Sequence, residues 1–196
     1  TKKLVEGGVK EIILVAQETT LYGVDLYGKK SLPKLLHNLG LIEGLEWIRI
    51  LYCYPEEIND ELIEAIKNEP KVCHYLDMPI QHASDNILKR MGRRTSKQEL
   101  TDIVAKLRRE IPDIALRTTL ITGFPGETDV DHEEVMQFID ECEFDRLGVF
   151  TYSREEDTVA AQMPDQIDEE IKEKYRDELT VSYTHLRAHE TRHDLV

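Results

Sequence analysis

IALRTTLITGFPGET, residues 114–128, opens as an apolar and β-branched run and closes on two glycines around a proline. The run predicts a buried strand over 114–124, the glycines a turn, and the polar residues from about 128 a helix reaching about 143. Strand, glycine turn and helix make up half of a β-α-β unit, and the flanking sequence repeats the pattern. Upstream, EIILVAQ (11–17), WIRILYCYP (47–55) and VCHYLDMPIQ (72–81) read as strands. Helices separate them at 31–40, 56–70 and 84–92, and another runs from the capping box Ser96-Lys97-Gln98-Glu99 to Pro112. Downstream, RLGVFTYS (146–153) reads as a fifth strand and an acidic helix covers about 166–179. Thr1 to Val5 read as part of a helix already under way, which with the missing start methionine suggests an N-terminally incomplete protein. Strands alternating with helices pair in parallel through right-handed crossovers, so the class is α/β; an open doubly wound sheet and a (β/α) barrel both satisfy the order.

At 196 residues, 40% hydrophobic and 33% charged, the chain suits one soluble domain with a sizeable core. No stretch approaches the roughly eighteen apolar residues of a membrane span. A net charge of -14, from 39 acidic against 25 basic side chains, disfavours a nucleic-acid partner and suits a basic protein. Cys53, Cys73 and Cys142 are too scattered for a disulfide framework or a metal knuckle, which suggests a reducing, cytoplasmic compartment.

In either α/β architecture ligands bind at the carboxyl ends of the strands. Those ends read Gln17-Glu18-Thr19-Thr20, Tyr52-Cys53-Tyr54-Pro55, Pro79-Ile80-Gln81-His82, Thr122 to Glu127, and Tyr152-Ser153-Arg154. The Gly123–Gly126 turn offers backbone N–H groups to a carboxylate or a ribose edge, although a plain strand-to-helix turn needs the same glycines. Gln81 and His82 offer donors and an acceptor, with a satisfied structural histidine the plainer reading. No nucleophile with its base is evident. The basic run Lys89, Arg90, Arg93, Arg94 and Lys97 lacks interleaved aromatics and reads as a solvated face, as does the helix carrying Glu133, Glu134, Asp140 and Glu141. His189-Glu190-Thr191-Arg192-His193 matches the zinc-hydrolase pattern H-E-x-x-H, with His185 one helical turn earlier; no third ligand or apolar helix face accompanies it.

YLDMPIQHASDNILKRMGRRTS (75–96) resembles the methylthiotransferases of the radical S-adenosylmethionine superfamily. AQETTLYGVDLYG (16–28), RTTLITGFPGET (117–128) and FTYSREEDT (150–158) resemble the same family in the same order. The variants Gln17-Glu18-Thr19-Thr20 and Met78 to Ser84 are more similar to the branch acting on an aspartate of a small-subunit ribosomal protein than to the tRNA-modifying branch. The resemblance implies a partial (β/α)6, TIM-like barrel over residues 1–165 that lacks its first strand and cluster loop. Residues 166–180 would begin a helix leading to a further domain. It implies S-adenosylmethionine and 4Fe-4S clusters as cofactors, a 5'-deoxyadenosyl radical that takes hydrogen from the aspartate β-carbon, and insertion there of sulfur and a methyl group.

By the same resemblance Gln17, Glu18 and Thr19 approach the methionine end of the cofactor, Gln81 and Ser84 the ribose, and Ile121 the adenine. Gly123 and Glu127 continue the fifth-strand motif, with Thr119 in place of its first glycine, and Phe150, Tyr152 and Ser153 end the last strand beside adenine or substrate. The family's C-x3-C-x2-C cluster motif is absent from the sequence, its place lying upstream of residue 1, and the three cysteines present read as core packing. Residues 181–196 do not resemble the family and look like translated adapter read-through. The sequence thus predicts an inactive piece of a cytoplasmic methylthiotransferase with a ribosomal-protein substrate, possible ribosome association, and no membrane or direct nucleic-acid contact. A tRNA-modifying enzyme and a zinc hydrolase built on the terminal histidines are the alternatives.

Overall fold

The computed structural model describes the backbone of residues 1–193 and the side chains of residues 1–185. Its elements are α1 (Lys2–Glu6), β1 (Glu11–Leu14), α2 (Val24–Tyr27), α3 (Leu32–Gly40), β2 (Trp47–Ile50), α4 (Asp60–Asn68) and β3 (Val72–Asp77), followed by α5 (Asp85–Arg90), α6 (Lys97–Glu110), β4 (Ala115–Thr122), α7 (Asp129–Cys142), β5 (Arg146–Thr151) and α8 (Glu169–His193). The strands form a five-stranded sheet in chain order, β1-β2-β3-β4-β5. β1 to β4 pair in parallel, and the order does not return from β5 to β1. This unclosed parallel α/β sheet agrees with the alternating sequence and with a partial barrel. The chain divides into two compact units, Thr1–Pro79 with Ile103–Arg117, and Ile80–Asp102 with Thr118–Val196.

In the first unit, leucines at helical spacing set α3: Leu32, Leu36 and Leu39 are buried, and Pro33 occupies its first turn, where a missing N–H costs nothing. α4 begins where the Asn59 side chain accepts the Leu62 amide, and buries Leu62, Ile63 and Ile66. These helices share a core with Ile48 and Ile50 of β2 and Leu76 of β3. The opposite face of the sheet is open and carries an ion pair: Glu11 of β1 accepts from Arg49 Nε at 2.7 Å, and the Arg49 guanidinium lies 4.8 Å from the Tyr75 ring centroid.

In the second unit, a reciprocal capping box starts α7. The Thr128 hydroxyl accepts the Asp131 amide, and Asp131 accepts the Thr128 amide at 2.9 Å. The expected Ser96–Glu99 box closes in the same manner at α6. Val135, Phe138 and Ile139 of α7, with Phe144 behind it, form the core together with Tyr175 and Leu179 of α8.

Every predicted strand and helix is present, with shorter strands. β2 stops at Ile50, shortly before Tyr52 takes left-handed backbone (φ 57°), and β3 stops at Asp77, four residues before Gln81, itself left-handed (φ 73°), pairs again with β4. The helix predicted over 56–70 begins only at Asp60, after a 3-10 turn at Pro55–Glu57. The acidic helix predicted to about 179 continues to His193, so the change in sequence character at Val181 has no counterpart in the backbone. His189, Glu190 and His193 lie outside the described side chains. Among the described residues no helix is long and apolar enough to cross a membrane.

Candidate functional site

Gln17, Glu18 and Thr19 belong to the first unit. Glu18 caps the 3-10 turn Thr19–Leu21: its Oε1 accepts the Thr20 amide at 2.9 Å and the Thr20 hydroxyl, and its Oε2 accepts the Tyr54 amide at 3.0 Å. Partial burial raises its pKa, against the pull of those hydrogen bonds. Thr19 donates its hydroxyl to the Leu51 carbonyl (2.6 Å) and its amide to Tyr52 O (2.9 Å). The segment after β1 is therefore tied to the segment after β2, and Gln17 stands exposed beside it. Asp77, at the end of β3, supports the same region. Buried to 2% exposure, it accepts the Tyr52 amide at 3.3 Å and lies 3.6 Å from Arg117 Nη1.

Gln81, Ser84, Ile121, Gly123, Glu127 and Tyr152 belong to the second unit. Gln81 rejoins the ladder beyond β3: its amide donates to Thr119 O (2.9 Å), its carbonyl accepts from the Ile121 amide (2.8 Å), and it bridges to Leu120. Gln81 and Ile121 are thereby adjacent, both half-buried at the strand ends. Ser84 is buried, and its hydroxyl donates to Asp131 Oδ1 at 2.5 Å, so it joins the start of α5 to the start of α7. Burial acts to raise the Asp131 pKa, but hydrogen bonds from Ser84, Thr128 and Asn86 prevail and hold it below the ordinary carboxylate value.

The N–H groups of the glycine turn hold a carboxylate from within the chain. Glu127 Oε2 accepts the Gly123 amide at 2.5 Å and the Phe124 amide at 3.2 Å. Gly123 (φ 71°) and Gly126 (φ 85°) are both left-handed, and a β-carbon on either would overlap a neighbour, Lys172 at one and Arg90 at the other. Arg90, expected on a solvated face, thus covers the turn, 3.7 Å from Asp165. Tyr152 donates its amide to Thr122 O (2.8 Å), packs edge-on to Phe124, and buries a hydroxyl that has no hydrogen-bond partner. Phe150 is exposed. His132 and Lys172 escaped the sequence reading. Among the described residues Lys172 is the one buried lysine or arginine, and a buried lysine on an acidic helix leaves no local pattern.

The apolar Ile121, the half-buried Gln81 and the partnerless Tyr152 hydroxyl suit a ligand with a planar base and a polar sugar, such as S-adenosylmethionine. The cysteines do not suit an iron-sulfur cluster, whose ligands are thiolates. Burial, then Glu18 and Asp77, push the Cys53 thiol pKa far up, and partial burial raises that of Cys73. Cys142 is buried on α7. Cys73, expected in the core, is only half-buried, as are its neighbours His74 and Tyr75 on β3. Among the described residues no group of three or more His, Cys, Asp or Glu is placed to hold a metal ion.

The model of the Radical SAM superfamily matches residues 1–139. The chain is 68% identical over 178 residues to the ribosomal protein uS12 methylthiotransferase RimO of Lachnoclostridium phytofermentans, covering 91% of this chain and 40% of the relative. It is 59% identical over 176 residues to that of Geobacter sulfurreducens, covering 89% and 39%. The chain therefore spans about 40% of the length of these curated relatives. Among solved structures, coproporphyrinogen III oxidase (HemN) of Escherichia coli, a radical SAM enzyme, superposes with a TM-score of 0.64 at 21% identity over 79% of this chain and 37% of its own. Elp3 of Methanocaldococcus infernus does so at 0.56 and 13%, over 93% and 47%. The structural likeness carries the fold, and the sequence match carries the kinship: the chain belongs to the radical SAM superfamily.

Proposed function

We propose that the chain is the S-adenosylmethionine-binding part of a cytoplasmic methylthiotransferase that places sulfur and a methyl group on the β-carbon of an aspartate in a small-subunit ribosomal protein. The observation that carries the reading is the 68% identity over 178 residues to a uS12 methylthiotransferase. The net charge of -14 agrees with a basic protein substrate. Residues 1–165 would make up the cofactor-binding barrel portion and 166–180 the start of the helix leading out of it.

When bound, S-adenosylmethionine supplies radical chemistry at carbon. This chain's own residues bind and orient. Ile121 offers an apolar face to the adenine, and Gln81 a side-chain amide to the ribose. The Tyr152 hydroxyl is a further donor at the end of β5, and Gly123 shapes the turn by admitting the Lys172 side chain. In the first unit, Gln17, Glu18 and Thr19 would stand toward the methionine amino group, with Thr19 holding the Glu18 loop in place. Ser84 acts from behind, through Asp131. The thiolates for a cluster are not among Cys53, Cys73 and Cys142.

The test is a chimera in which residues 1–178 replace the matching segment of the Lachnoclostridium phytofermentans relative. After cluster reconstitution the chimera should methylthiolate a uS12 peptide at aspartate, read as the mass gain of one methylthio group. Modification of tRNA with none of the peptide would support the tRNA-modifying alternative, and a folded, cluster-loaded chimera inactive on both would overturn the reading.

A further inference from the structure

Three buried polar atoms of the second unit point at one another without a hydrogen bond. His82 Nε2 lies 3.4 Å from Glu127 Oε1, and His132 Nδ1 lies 3.9 Å from the same oxygen. All three atoms are inaccessible to solvent and lack a partner, although buried polar atoms are nearly always bonded. The outer ends of the group are occupied. His82 Nδ1 accepts the Ser84 amide at 3.0 Å, and His132 Nε2 meets Glu178 Oε2 of α8 at 3.0 Å.

These outer bonds determine where protons can sit. A backbone amide always donates, so His82 Nδ1 must be bare and the ring's single proton lies on Nε2, facing Glu127. Protonating His82 fully would set two donors against each other at Ser84. At His132 the logic reverses: a carboxylate accepts, so Nε2 carries a proton, and Nδ1 is bare in the neutral ring or carries a second proton aimed at Glu127. Of the two imidazoles, His132 is therefore the one that can gain a proton and gain a hydrogen bond by doing so.

We propose that His82 and His132 are positioning residues for the Gly123–Phe124 turn, acting through Glu127, with the His82 ring proton held on Nε2 and His132 able to take a second proton at Nδ1 that faces the same carboxylate. Glu127 is the lever. One of its oxygens receives the two turn amides and the other faces both imidazoles, so a proton arriving at His132 Nδ1 draws the carboxylate and alters its grip on Gly123 and Phe124. The groups facing His132 are Glu127 from the turn, His82 from the segment after β3, and Glu178 and Tyr175 from α8. The Tyr175 ring stacks on the imidazole at 4.1 Å, and its hydroxyl is donated to Asp129. Lys174 lies 3.7 Å from the other oxygen of Glu178. Burial lowers the His132 pKa, and the two carboxylates oppose that. Calling this turn the cofactor-facing one rests on the function proposed above; the linkage itself does not.

The test is heteronuclear NMR of the imidazole nitrogens and backbone amides of the full chain from about pH 5 to about pH 8. His82 should show its ring proton on Nε2 and a bare Nδ1 at neutral pH. His132 should titrate as a single group, and the Gly123 and Phe124 amide signals should shift with its midpoint. His132→Gln should erase that midpoint from the two amides. Glu178→Gln, at a half-exposed site, should move it to lower pH by removing one carboxylate that favours the charged ring. A His82 ring proton found on Nδ1, turn amides that do not share the His132 midpoint, or a midpoint that persists in His132→Gln would overturn the proposal. Should His132→Gln fail to fold, an unmoved midpoint in Glu178→Gln does so. None of these readouts needs S-adenosylmethionine or a cluster, so their failure is separable from that of the chimeric enzyme.

Discussion

Lys172 of α8 lies with its aliphatic stem over Gly123, the first glycine of the turn after β4, and extends its ammonium to the Tyr152 carbonyl at 3.1 Å. Glu169 completes the contact, accepting from the same nitrogen at 2.6 Å. One buried cation thus joins the ends of β4 and β5 to α8, and the missing side chain of Gly123 is the space its methylenes occupy.

Gly123→Ala should therefore be costly twice over, once for a β-carbon at φ 71° and once for its overlap with Lys172. We expect a loss of about 2 to 5 kcal/mol in unfolding free energy. Urea denaturation measures it, and a variant within experimental error of the parent would contradict the contact.

Ser84→Ala removes a donor from a buried carboxylate while leaving Asp131 its bonds to Thr128. The expected cost is about 1 to 3 kcal/mol. The Asp131 pKa should also rise, which carbon-detected NMR of its carboxyl group would reveal; an unchanged titration would mean that the 2.5 Å bond contributes nothing.

Acid should weaken the fold in two stages. The pKa of His132 lies below its ordinary value, so between about pH 6.5 and its folded value the unfolded chain binds more protons and stability falls with pH. The pKa of Asp131 is also depressed, so its contribution is complete above about pH 4 and fades as pH falls further. Unfolding midpoints measured from neutral to acid should show the first decline in the parent and lose it in His132→Gln.

In the chimeric enzyme, Gln81→Ala should weaken S-adenosylmethionine binding about 5- to 10-fold, the usual effect of one lost hydrogen bond. Calorimetric titration reads it directly, and unchanged affinity would remove Gln81 from the site.

The strands and helices were legible because period and punctuation are local. Leu32, Leu36 and Leu39 announce α3, and Thr128 announces the start of α7. Two kinds of feature were not. Tyr52 and Gln81 take left-handed backbone that neither residue type signals. The partners of His132 and Ser84 lie 46 and 47 residues away, so beside Glu133 and Glu134 the histidine reads as one more polar residue on a solvated helix. The glycine turn was correctly placed and its occupant was not, since a sequence shows that N–H groups are available but not that Glu127 folds back to take them.

Gln81 is bonded on both sides of its peptide, to Thr119 and to Ile121, after a stretch in which β3 has already ended. That rung has a thermodynamic meaning for recognition. The conformational entropy of this backbone is surrendered during folding and is not charged again when a ligand arrives. Whatever Gln81 touches meets a side chain on a fixed base, and its selectivity is set by what fits there more than by how readily a loop can close.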